Sequence, residues 1–331
     1  MEVFDMLYKK VGKIKEEISA IGLGCWNFGG QWDTSNDENA VKIVHAAIDN
    51  GINLFDVAPV YGFGKAERVL GKALKDGKRS KVLIATKCGL VWNEKHEIKN
   101  DLSKKNILRE IDESLEILQT DYVDIYQLHW PDHNTPIEET VSALEEIKKA
   151  GKIRYIGLSN FSQKDVETFM TMIEINAQQA LYNMLERNTS SYHNIPLEYK
   201  TEDEVLPTVR KYQQAFFPYS PLFQGLLTGK FKPNGNFSEK DIRNENPKLR
   251  GELFKKYYEG VVALEKFADK IGKPLNEIAL NWLRQKDEVT SIIAGASSVA
   301  QLEKNVHSTT WDLSQEELSE IETIIEPYRY M

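Results

Sequence analysis

The length, composition and charge of the chain exclude several classes of protein. It has 331 residues, of which 41% are hydrophobic and 28% charged, and its formal net charge is −8. This composition is ordinary for a globular protein whose core forms without metals or disulfides. The negative charge, with Lys and Arg scattered along the chain, argues against nucleic acid or an anionic membrane surface as a partner.

Cysteine usage and apolar patterning predict a cytoplasmic protein. Cys25 and Cys88 stand far apart without Cys-x-x-Cys spacing, so we expect two free thiols, no structural zinc and a reducing compartment. The N-terminal sequence lacks the continuous apolar run of a signal peptide, and no stretch reaches the roughly 18 apolar residues of a membrane span. The sequence carries no prediction of oligomeric state.

The first predicted elements form a hairpin, and a repeated alternation of strand and helix follows. Residues Met6–Glu17 predict two short strands joined through Gly12. Short apolar runs then alternate with amphipathic segments whose apolar positions recur about once per helical turn. The predicted strands are Ile18–Leu23, Leu54–Asp56, Val82–Lys87, Tyr122–Tyr126, Tyr155–Ser159, Ala177–Gln179, Ala215–Tyr219 and Ser291–Ala294. The predicted helices include Asn39–Asp49, Ala66–Lys75, Lys104–Leu118, Pro136–Lys149 and Gln163–Met172.

Eight such units predict an α/β fold, a (β/α)8 TIM barrel whose floor is closed by the N-terminal hairpin, with residues 1–331 as a single domain. The alternative is an open, doubly wound sheet. That fold usually carries a Gly-rich turn after its first strand, and no G-x-G-x-x-G follows the first strand here. Two segments depart from the alternation: Asn188–Glu204 is polar and irregular, and residues from Leu222 to about Arg250 predict a long functional loop.

Four polar residues follow successive predicted strands. Asp56 ends the second strand, Tyr61 lies in the loop after it, Lys87 ends the third strand and His129 follows the fourth. In a barrel of this type the active site forms at the carboxyl ends of the strands, so we expect these side chains on one rim. Taken singly, each is more often a turn, cap or core residue. Together, an acid, a phenol, an amine and an imidazole favour a catalytic site.

These four groups suit proton transfer to a substrate. A phenol has an ordinary pKa of about 10. The sequence therefore predicts that the Lys87 ammonium lowers the pKa of Tyr61, which would then act as a general acid. Asp56 would pair with Lys87 and keep it charged, and His129 would donate a hydrogen bond to a carbonyl oxygen.

The segment DVAPVYGFGKAERVLGKAL resembles the aldo-keto reductase superfamily, with its Asp, a Tyr-Gly five residues on, then Gly-x-x-E and L-G. The resemblance continues, in the family's order, through GLGCW, IATK, TDYVDIYQLHWPD, GKIRYIGLSNFS, YSPLFQGLLTGKF and IAGASSVAQLEKN. Within the superfamily, TGKF followed by DIRNENPKLRGELF is most similar to the bacterial branch that includes inositol-catabolism-associated reductases.

The resemblance implies an NAD(P)-dependent oxidoreductase that transfers hydride from NADPH to the carbonyl of an aldehyde or ketone, with the reverse alcohol oxidation possible and no metal required. It implies the same catalytic tetrad: Asp56, Tyr61, Lys87 and His129. Residues Ser159, Asn160 and Gln179 would hold the nicotinamide carboxamide. Tyr219 would stack beneath the nicotinamide ring, its alternative role being a core aromatic that closes its strand.

The resemblance assigns further residues to the cofactor, including a loop whose small residues and backbone amides would approach the pyrophosphate. That loop contributes Ser220, Pro221, Leu222, Gln224, Gly225 and Leu227, with Lys230 adding charge. The remaining positions are Gly24, Cys25, Trp26, Asp56, Gly295, Ser297, Ser298, Gln301 and Asn305, together with Arg243 or Arg250, either of which could simply be solvated.

NADP (NADPH) is expected rather than NAD. The family often places Arg or Lys where this chain has Ser297, and often an acid where it has Lys304, and this departure weakens the case for NADPH. Serine hydroxyls and Lys304 could still receive the 2′-phosphate, whereas NADH would need an acceptor for the ribose hydroxyl.

The substrate is expected to be a small carbonyl compound, sugar- or polyol-derived ones included, in a pocket lined by aromatic groups. The pocket candidates are Trp26, Trp32, Tyr61, Trp92, His129 and Trp130, although several of the tryptophans could instead pack against the barrel rim. Two other functions stay open. One is a nucleotide-binding regulatory subunit resembling potassium-channel β-subunits, and the other is a hydrolase with paired carboxylates from among Asp121, Asp124 and Glu67.

Overall fold

Eight parallel strands close into a barrel in the computed structural model, which describes residues 6–30, 36–230, 237, 239 and 241–331. In chain order the strands are β1 (Tyr8–Lys9), β2 (Ile18–Ser19), β3 (Ile21–Gly24), β4 (Leu54–Asp56), β5 (Leu83–Cys88), β6 (Leu90–Trp92), β7 (Ile98–Asn100), β8 (Val123–Leu128), β9 (Ile153–Ser159), β10 (Ala177–Leu181), β11 (Ser191–Tyr192), β12 (Ile195–Pro196), β13 (Ala215–Tyr219) and β14 (Ile292–Gly295). The order around the barrel is β3, β4, β5, β8, β9, β10, β13 and β14, which pairs again with β3.

Helices follow most barrel strands and cover the outside of the barrel. They are α1 (Asp37–Asp49), α2 (Lys65–Ala73), α3 (Lys104–Leu118), α4 (Ile137–Lys149), α5 (Gln163–Met170), α6 (Leu206–Tyr212), α7 (Gly251–Ile271), α8 (Leu275–Arg284), α9 (Val299–His307) and α10 (Gln315–Ile325). Polar side chains begin several of them: Asn36, Ser103 and Ser162 each accept a hydrogen bond from a backbone amide of the first turn. The described helices include none long and apolar enough to cross a membrane.

The predicted (β/α)8 TIM barrel is confirmed, and the open sheet is excluded by the closed ring of strands. The bounds of most strands differ from the prediction by one or two residues. The first is a larger correction, because Ile18–Leu23 is not one strand. Ile18–Ser19 pairs antiparallel with Tyr8–Lys9, whereas Ile21–Gly24 pairs with β4 and β14 in the barrel.

The N-terminal hairpin lies at the amino ends of the barrel strands. Its turn includes Gly12 with φ +53°, where an added Cβ would lie 2.0 Å from the Gln213 carbonyl oxygen. Ile14 and Ile18 are buried against the apolar interior of the barrel. That interior layer also contains Leu54, Leu83, Ala85, Ile125, Ala177, Ala215, Phe217 and Ile293. The apolar layer and the hairpin fill the lower part of the barrel, which leaves the polar side chains to the opposite rim.

The two irregular segments contain short elements that their composition did not predict. Within Asn188–Glu204, β11 and β12 form a two-stranded hairpin and residues Thr201–Val205 form a π-helix. The long segment after β13 contains the 3-10 helices Phe223–Thr228, Ile242–Glu245 and Pro247–Leu249. Both segments lie at the carboxyl-terminal rim, where they extend the loops of the barrel.

Candidate active site

The four predicted catalytic groups meet at the carboxyl ends of β4, β5 and β8. Lys87 Nζ donates to Asp56 Oδ1 at 2.8 Å, to the Val57 carbonyl oxygen at 3.0 Å and to the Tyr61 hydroxyl at 3.2 Å. The His129 ring packs edge-on against the Tyr61 ring, with 5.8 Å between centroids. Lys87, Asp56 and His129 are buried. The arrangement therefore places an acid, an ammonium, a phenol and an imidazole within contact of one another.

Strand register explains why these side chains converge. Asp56 pairs with Ala85 in the β4–β5 ladder, and Lys87 lies two residues further along β5. Side chains two residues apart on a strand point to the same face, so Lys87 projects into the barrel one step above Asp56. His129 directly follows β8, whose Gln127 pairs with Lys87.

Burial dominates the protonation of the site. It raises the pKa of Tyr61 well above its ordinary value, and the charge of Asp56 reinforces this. It lowers the pKa of Lys87, against the opposing effect of Asp56. Burial, with Lys87 nearby, also lowers the pKa of His129 well below its ordinary value. The sequence-based expectation of a lowered pKa for Tyr61 is wrong here. Burial destabilises the phenolate by more than the Lys87 ammonium, which is already paired with Asp56, stabilises it. At neutral pH the phenol keeps its proton.

A second layer of amides surrounds Asp56. Its Oδ1 atom accepts hydrogen bonds from Gln179 Nε2 at 2.8 Å and from Gln127 Nε2 at 3.4 Å, besides the bond from Lys87. Gln179 was predicted at the nicotinamide carboxamide, and the structure places it directly beside the tetrad. Gln127 was not predicted, although its place on β8, two residues before His129, was a usable signal. These amides orient the carboxylate that holds Lys87.

Asn160 links the nicotinamide candidates to the tetrad. Its Nδ2 donates to Ser159 Oγ and to the His129 carbonyl oxygen, both at 3.1 Å. Its Oδ1 accepts from the hydroxyls of Tyr199 and Tyr219, both at 2.9 Å. Three predicted cofactor residues therefore share one hydrogen-bond network, and Tyr219 is a partly buried rim residue with its hydroxyl anchored.

A close backbone contact supports the loop that carries Tyr61. Gly62 has φ +66°, and a Cβ added there would lie 2.1 Å from the Gly29 carbonyl oxygen. A Cβ on Gly29 would lie 2.7 Å from the Tyr61 carbonyl carbon. Only glycine fits at these two positions. The 3-10 helix Trp26–Gly29 consequently lies directly against the loop of Tyr61.

The predicted tryptophans divide between the site and the rim. The Trp26 ring lies 6.2 Å from that of Tyr61, which places it beside the tetrad. Trp92, on β6, packs against Phe63 at 5.2 Å, so it contacts the Tyr61 loop from the side. Trp130 is partly buried against the apolar core. Trp32 lies outside the described residues.

The predicted cofactor residues Gly24 and Cys25 lie next to Asp56. Gly24 pairs with Asp56 between β3 and β4. The Cys25 amide donates to the Asp56 carbonyl oxygen at 2.8 Å.

The loop predicted at the pyrophosphate has an unusual backbone. Positive φ angles occur at Ser220 (+56°), Phe223 (+47°), Gln224 (+52°) and Gly225 (+100°). The backbone amides of Phe223, Gly225 and Leu227 donate to carbonyl oxygens of Ser220 and Leu222, which makes the turns of this loop tight. Among the described residues, a Cβ on Gly225 would meet only Arg243 Nη1, at 3.9 Å, so this part of the structure leaves room for close approach to the backbone there. The remaining predicted members, Pro221, Leu222 and Leu227, belong to the same loop, and Lys230 follows it, exposed. These observations fit a nucleotide pyrophosphate.

The residues predicted at the adenosine end cluster at the start of α9. Ser298 caps this helix by accepting from Gln301 N. Both the backbone amide and the hydroxyl of Ser297 donate to Gln301 Oε1, each at 2.9 Å. Asn305 Nδ2 donates to the Gly295 carbonyl oxygen at 3.4 Å. A partly exposed helix N-terminus with serine hydroxyls is suited to phosphate.

The two arginine candidates differ in their surroundings. Arg243 pairs with Asp241 through Nε at 2.8 Å and Nη2 at 2.6 Å, and its guanidinium covers the Phe237 ring. Arg250 lines a surface cleft of about 640 Å³ together with Asn194. The geometry therefore brings Arg243 to the loop of Gly225.

Sequence reasoning missed two residues that reach the site from the β11–β12 hairpin. The Tyr192 ring packs edge-on against Tyr219 at 5.2 Å, and the His193 ring lies 6.3 Å from Trp26. Burial, with Tyr61 as the next contributor, raises the pKa of Tyr192 well above its ordinary value. Nothing in the polar, aperiodic segment around them signalled this contact, because it depends on how a long loop folds back.

The carboxylates considered for a hydrolase do not form a pair at the rim. Asp124 accepts from Arg79 at 2.8 Å and Arg154 at 2.9 Å, which makes it a structural ion-pair residue. Glu67 is buried on α2 and accepts from Thr86 Oγ1 at 2.7 Å. Asp121 precedes β8, at the opposite end of that strand from His129. Among the described residues, no group of three His, Cys, Asp or Glu side chains is placed to hold a metal ion.

Similar proteins cover almost the whole chain. It is 37% identical to aldo-keto reductase YhdN of Bacillus subtilis (97% of this chain, 94% of that one) and 33% identical to an NADH-specific methylglyoxal reductase of Escherichia coli (90% and 91%). It is 31% identical to a probable voltage-gated potassium channel subunit beta of Arabidopsis thaliana (91% and 90%). The solved structure of glycerol dehydrogenase AKR11B4 from Gluconobacter oxydans superposes with a TM-score of 0.84 at 33% identity (97% and 95%).

The sequence pattern of the Aldo/keto reductase family matches residues 20–326, which span every barrel strand and the predicted tetrad. The resemblance inferred from the motifs is thus confirmed at the level of the family. Family, barrel and relatives agree with the strand-end chemistry described above. The chain belongs to the Aldo/keto reductase family and is an NAD(P)-dependent oxidoreductase.

Proposed function

We propose that the protein reduces the carbonyl group of a small aldehyde or ketone, with Tyr61 as the general acid. The observation that carries the proposal is the contact of Lys87 Nζ with both Asp56 Oδ1 and the Tyr61 hydroxyl in a buried site. A bound reduced nicotinamide would supply the hydride. Residues 220–227 and the start of α9 would hold its phosphates, and Gln179, Asn160 and Ser159 its carboxamide.

Each group of the tetrad has a definite task in this proposal. The raised pKa keeps Tyr61 protonated, so its hydroxyl can donate to the carbonyl oxygen and pass its proton there as charge develops. Lys87 lies 3.2 Å from the phenol oxygen and stabilises the phenolate left behind. Asp56 holds Lys87 in place. Neutral His129, whose ring contacts that of Tyr61, donates a second hydrogen bond to the carbonyl oxygen.

The Tyr61→Phe variant tests the assignment. It removes the acidic proton and keeps the ring, so we expect kcat for aldehyde reduction to fall about 10²–10⁴-fold. The dissociation constant for NADPH, measured by quenching of tryptophan fluorescence, should stay within about twofold of the wild-type value, because no cofactor role is assigned to the hydroxyl. Undiminished kcat in this variant would remove Tyr61 from the mechanism.

The proposed cofactor is NADPH rather than NADH. Serine hydroxyls at the start of α9 and the exposed Lys304 one turn later support a 2′-phosphate site. Two observations favour the opposite outcome: Ser297 directs its amide and hydroxyl to Gln301, and one relative is named as NADH-specific. We expect kcat/KM with NADPH to exceed that with NADH for one test aldehyde in initial-rate assays. A higher kcat/KM with NADH would reverse the assignment.

The remaining proposals concern the whole protein. We propose one domain, 1–331, acting on a small molecule in the cytoplasm without nucleic acid or membrane partners. The net charge of −8 and the free cysteines Cys25 and Cys88 support this. The alternative function, a regulatory nucleotide-binding subunit, is favoured by the similarity to a probable potassium channel subunit. Turnover of NADPH with aldehydes by the purified chain alone distinguishes the two.

A further inference from the structure

The β11–β12 hairpin connects the candidate active site to the loop proposed to hold the pyrophosphate. On one side, the rings of Tyr192 and His193 contact Tyr219 and Trp26. On the other side, His193 Nε2 lies 2.6 Å from the side-chain nitrogen of Gln224. His193 bonds to that loop side chain, and the hydroxyl of its neighbour Tyr192 also shares a hydrogen bond with Gln224.

Lys248, Asn246, Gln224 and His193 form a chain of hydrogen bonds, and the backbone amide of Lys248 determines the direction of each bond in it. The backbone N–H of Lys248 can only donate, so Asn246 accepts through Oδ1 and offers its Nδ2 group. Asn246 Nδ2 donates to Gln224 Oε1 at 3.0 Å, which leaves Gln224 Nε2 to donate to His193. The acceptor on His193 is therefore unprotonated Nε2, and the proton of the neutral ring is on Nδ1. Burial, with the charge of Lys248, lowers the pKa of His193 to about 4, which agrees with a neutral ring.

A buried ion pair fastens the base of the hairpin to the same segment. Lys248 Nζ donates to Glu186 Oε1 at 2.7 Å, to Thr189 Oγ1 at 2.8 Å and to the Ser191 carbonyl oxygen at 2.6 Å. Only 3% of each charged side chain is exposed. Because both groups are buried and bonded, the base of the hairpin is held rigidly. His193, two residues further on, is thus presented to Gln224 from a fixed support.

The backbone at Gln224 needs such a support. Gln224 has φ +52° and is flanked by Phe223 at +47°, a left-handed conformation that is unfavourable for residues other than glycine. Such residues persist where surrounding contacts determine them. The side chain of Gln224 is bonded at both of its polar atoms, to His193 and to Asn246. These two bonds stabilise the turn formed by the left-handed residues.

We propose that His193 is a positioning residue for the cofactor: through Gln224 it holds the Ser220–Leu227 loop in the shape that receives the pyrophosphate. The proposal rests on the proposed function, which places the pyrophosphate at this loop. It assigns a role in nucleotide affinity to a hairpin whose tip borders the substrate side of the site. Substrate-side and cofactor-side loops are then parts of one hydrogen-bonded unit.

The test is a titration of NADPH and of NADH into the purified full-length chain, followed by tryptophan fluorescence. We expect His193→Ala to raise the dissociation constant of the preferred nucleotide about tenfold, since a partly buried bonded amide loses its partner. His193→Gln places an acceptor oxygen near the former Nε2 and should return affinity to within about threefold of wild type. Gln224→Ala should weaken binding to a similar extent, and the double variant no further.

Controls separate this role from a general loss of structure. His133→Ala removes an exposed histidine paired with Glu198 at 2.9 Å and should leave nucleotide affinity unchanged. If His193→Ala does not fold, Asn246→Ala interrupts the same chain one link earlier and should raise the dissociation constant equally. Wild-type affinity in His193→Ala, additive losses in the double variant, or no recovery in His193→Gln would each overturn the proposal. Failure of the wild-type chain to bind either nucleotide would instead refute the proposed function.

Discussion

At the scale of the residue, Glu67 is a buried carboxyl group that the proposed mechanism does not use. It lies behind β5, where Thr86 points away from the barrel interior and donates to Glu67 Oε1 at 2.7 Å. Besides Thr86, the Ser114 hydroxyl of α3 interacts with this buried carboxyl group. Burial raises the pKa of Glu67 to about 7. The folded protein therefore favours the protonated carboxyl group.

This shift predicts a pH-dependent cost of folding. Between the ordinary pKa of 4.5 and about 7, the folded state binds the Glu67 proton and the unfolded state does not, so stability falls as pH rises through this window. Glu67→Gln keeps an acceptor for Thr86 and cannot ionise. We expect its melting temperature to match that of the wild type near pH 5 and to exceed it at pH 8. The pKa of Glu110 is also raised to about 7, but Glu110 is present in both the wild type and Glu67→Gln, so it does not contribute to the difference between them. Parallel pH profiles would contradict the assignment.

The tetrad shows what could be predicted at this scale and what could not. Asp56, Lys87 and His129 were predicted because each directly ends or follows a strand, and parallel strands bring their carboxyl ends together. The pKa of Tyr61 was predicted with the wrong sign. A sequence shows which charges lie near one another along a motif, but not how completely a fold removes water from them, and here desolvation is the larger effect.

At the scale of the element, the contact of the 3-10 helix Trp26–Gly29 with the loop after β4 places Tyr61. We expect Gly29→Ala to push this loop away, because the added Cβ would meet the backbone of Tyr61 and Gly62 at 2.7 Å. A displacement of about 1 Å at the phenol should reduce kcat for aldehyde reduction up to about 100-fold.

A matched variant separates this effect from lost stability. Gly71→Ala places a Cβ 2.6 Å from the Leu118 carbonyl oxygen, between α2 and α3 and away from Tyr61. It should lower the melting temperature as Gly29→Ala does, with kcat near the wild-type value when assayed well below that temperature. Equal losses of kcat in both variants would mean that the Gly29 contact has no particular effect on Tyr61.

Elements were predictable to the extent that they are periodic. The strands and helices of the barrel repeat at regular spacing, so their apolar patterns identified them. The β11–β12 hairpin has two residues in each strand, and its register is specified by partners such as Lys248, more than fifty positions later in the chain. Local sequence contains no trace of such a partner. Ile18–Ser19 was merged with the barrel strand that follows it because only Ala20 separates the two.

At the scale of the whole molecule, the barrel separates an apolar lower half from the polar catalytic groups at its upper rim. The hairpin with Ile14 and the apolar layer around Phe217 fill its lower half, and the polar groups of the tetrad lie above them. The count of eight strand-and-helix units made this architecture predictable. The interlocked loops at the upper rim were not, because their contacts join positions that no repeat relates.

The filled lower half of the barrel has a consequence for how ligands enter and leave. Among the described residues, apolar side chains fill the interior below the tetrad, so we expect the proposed nucleotide and carbonyl compound both to enter at the carboxyl-terminal rim. We therefore expect ordered binding, in which the compound that lies deeper binds first and leaves last.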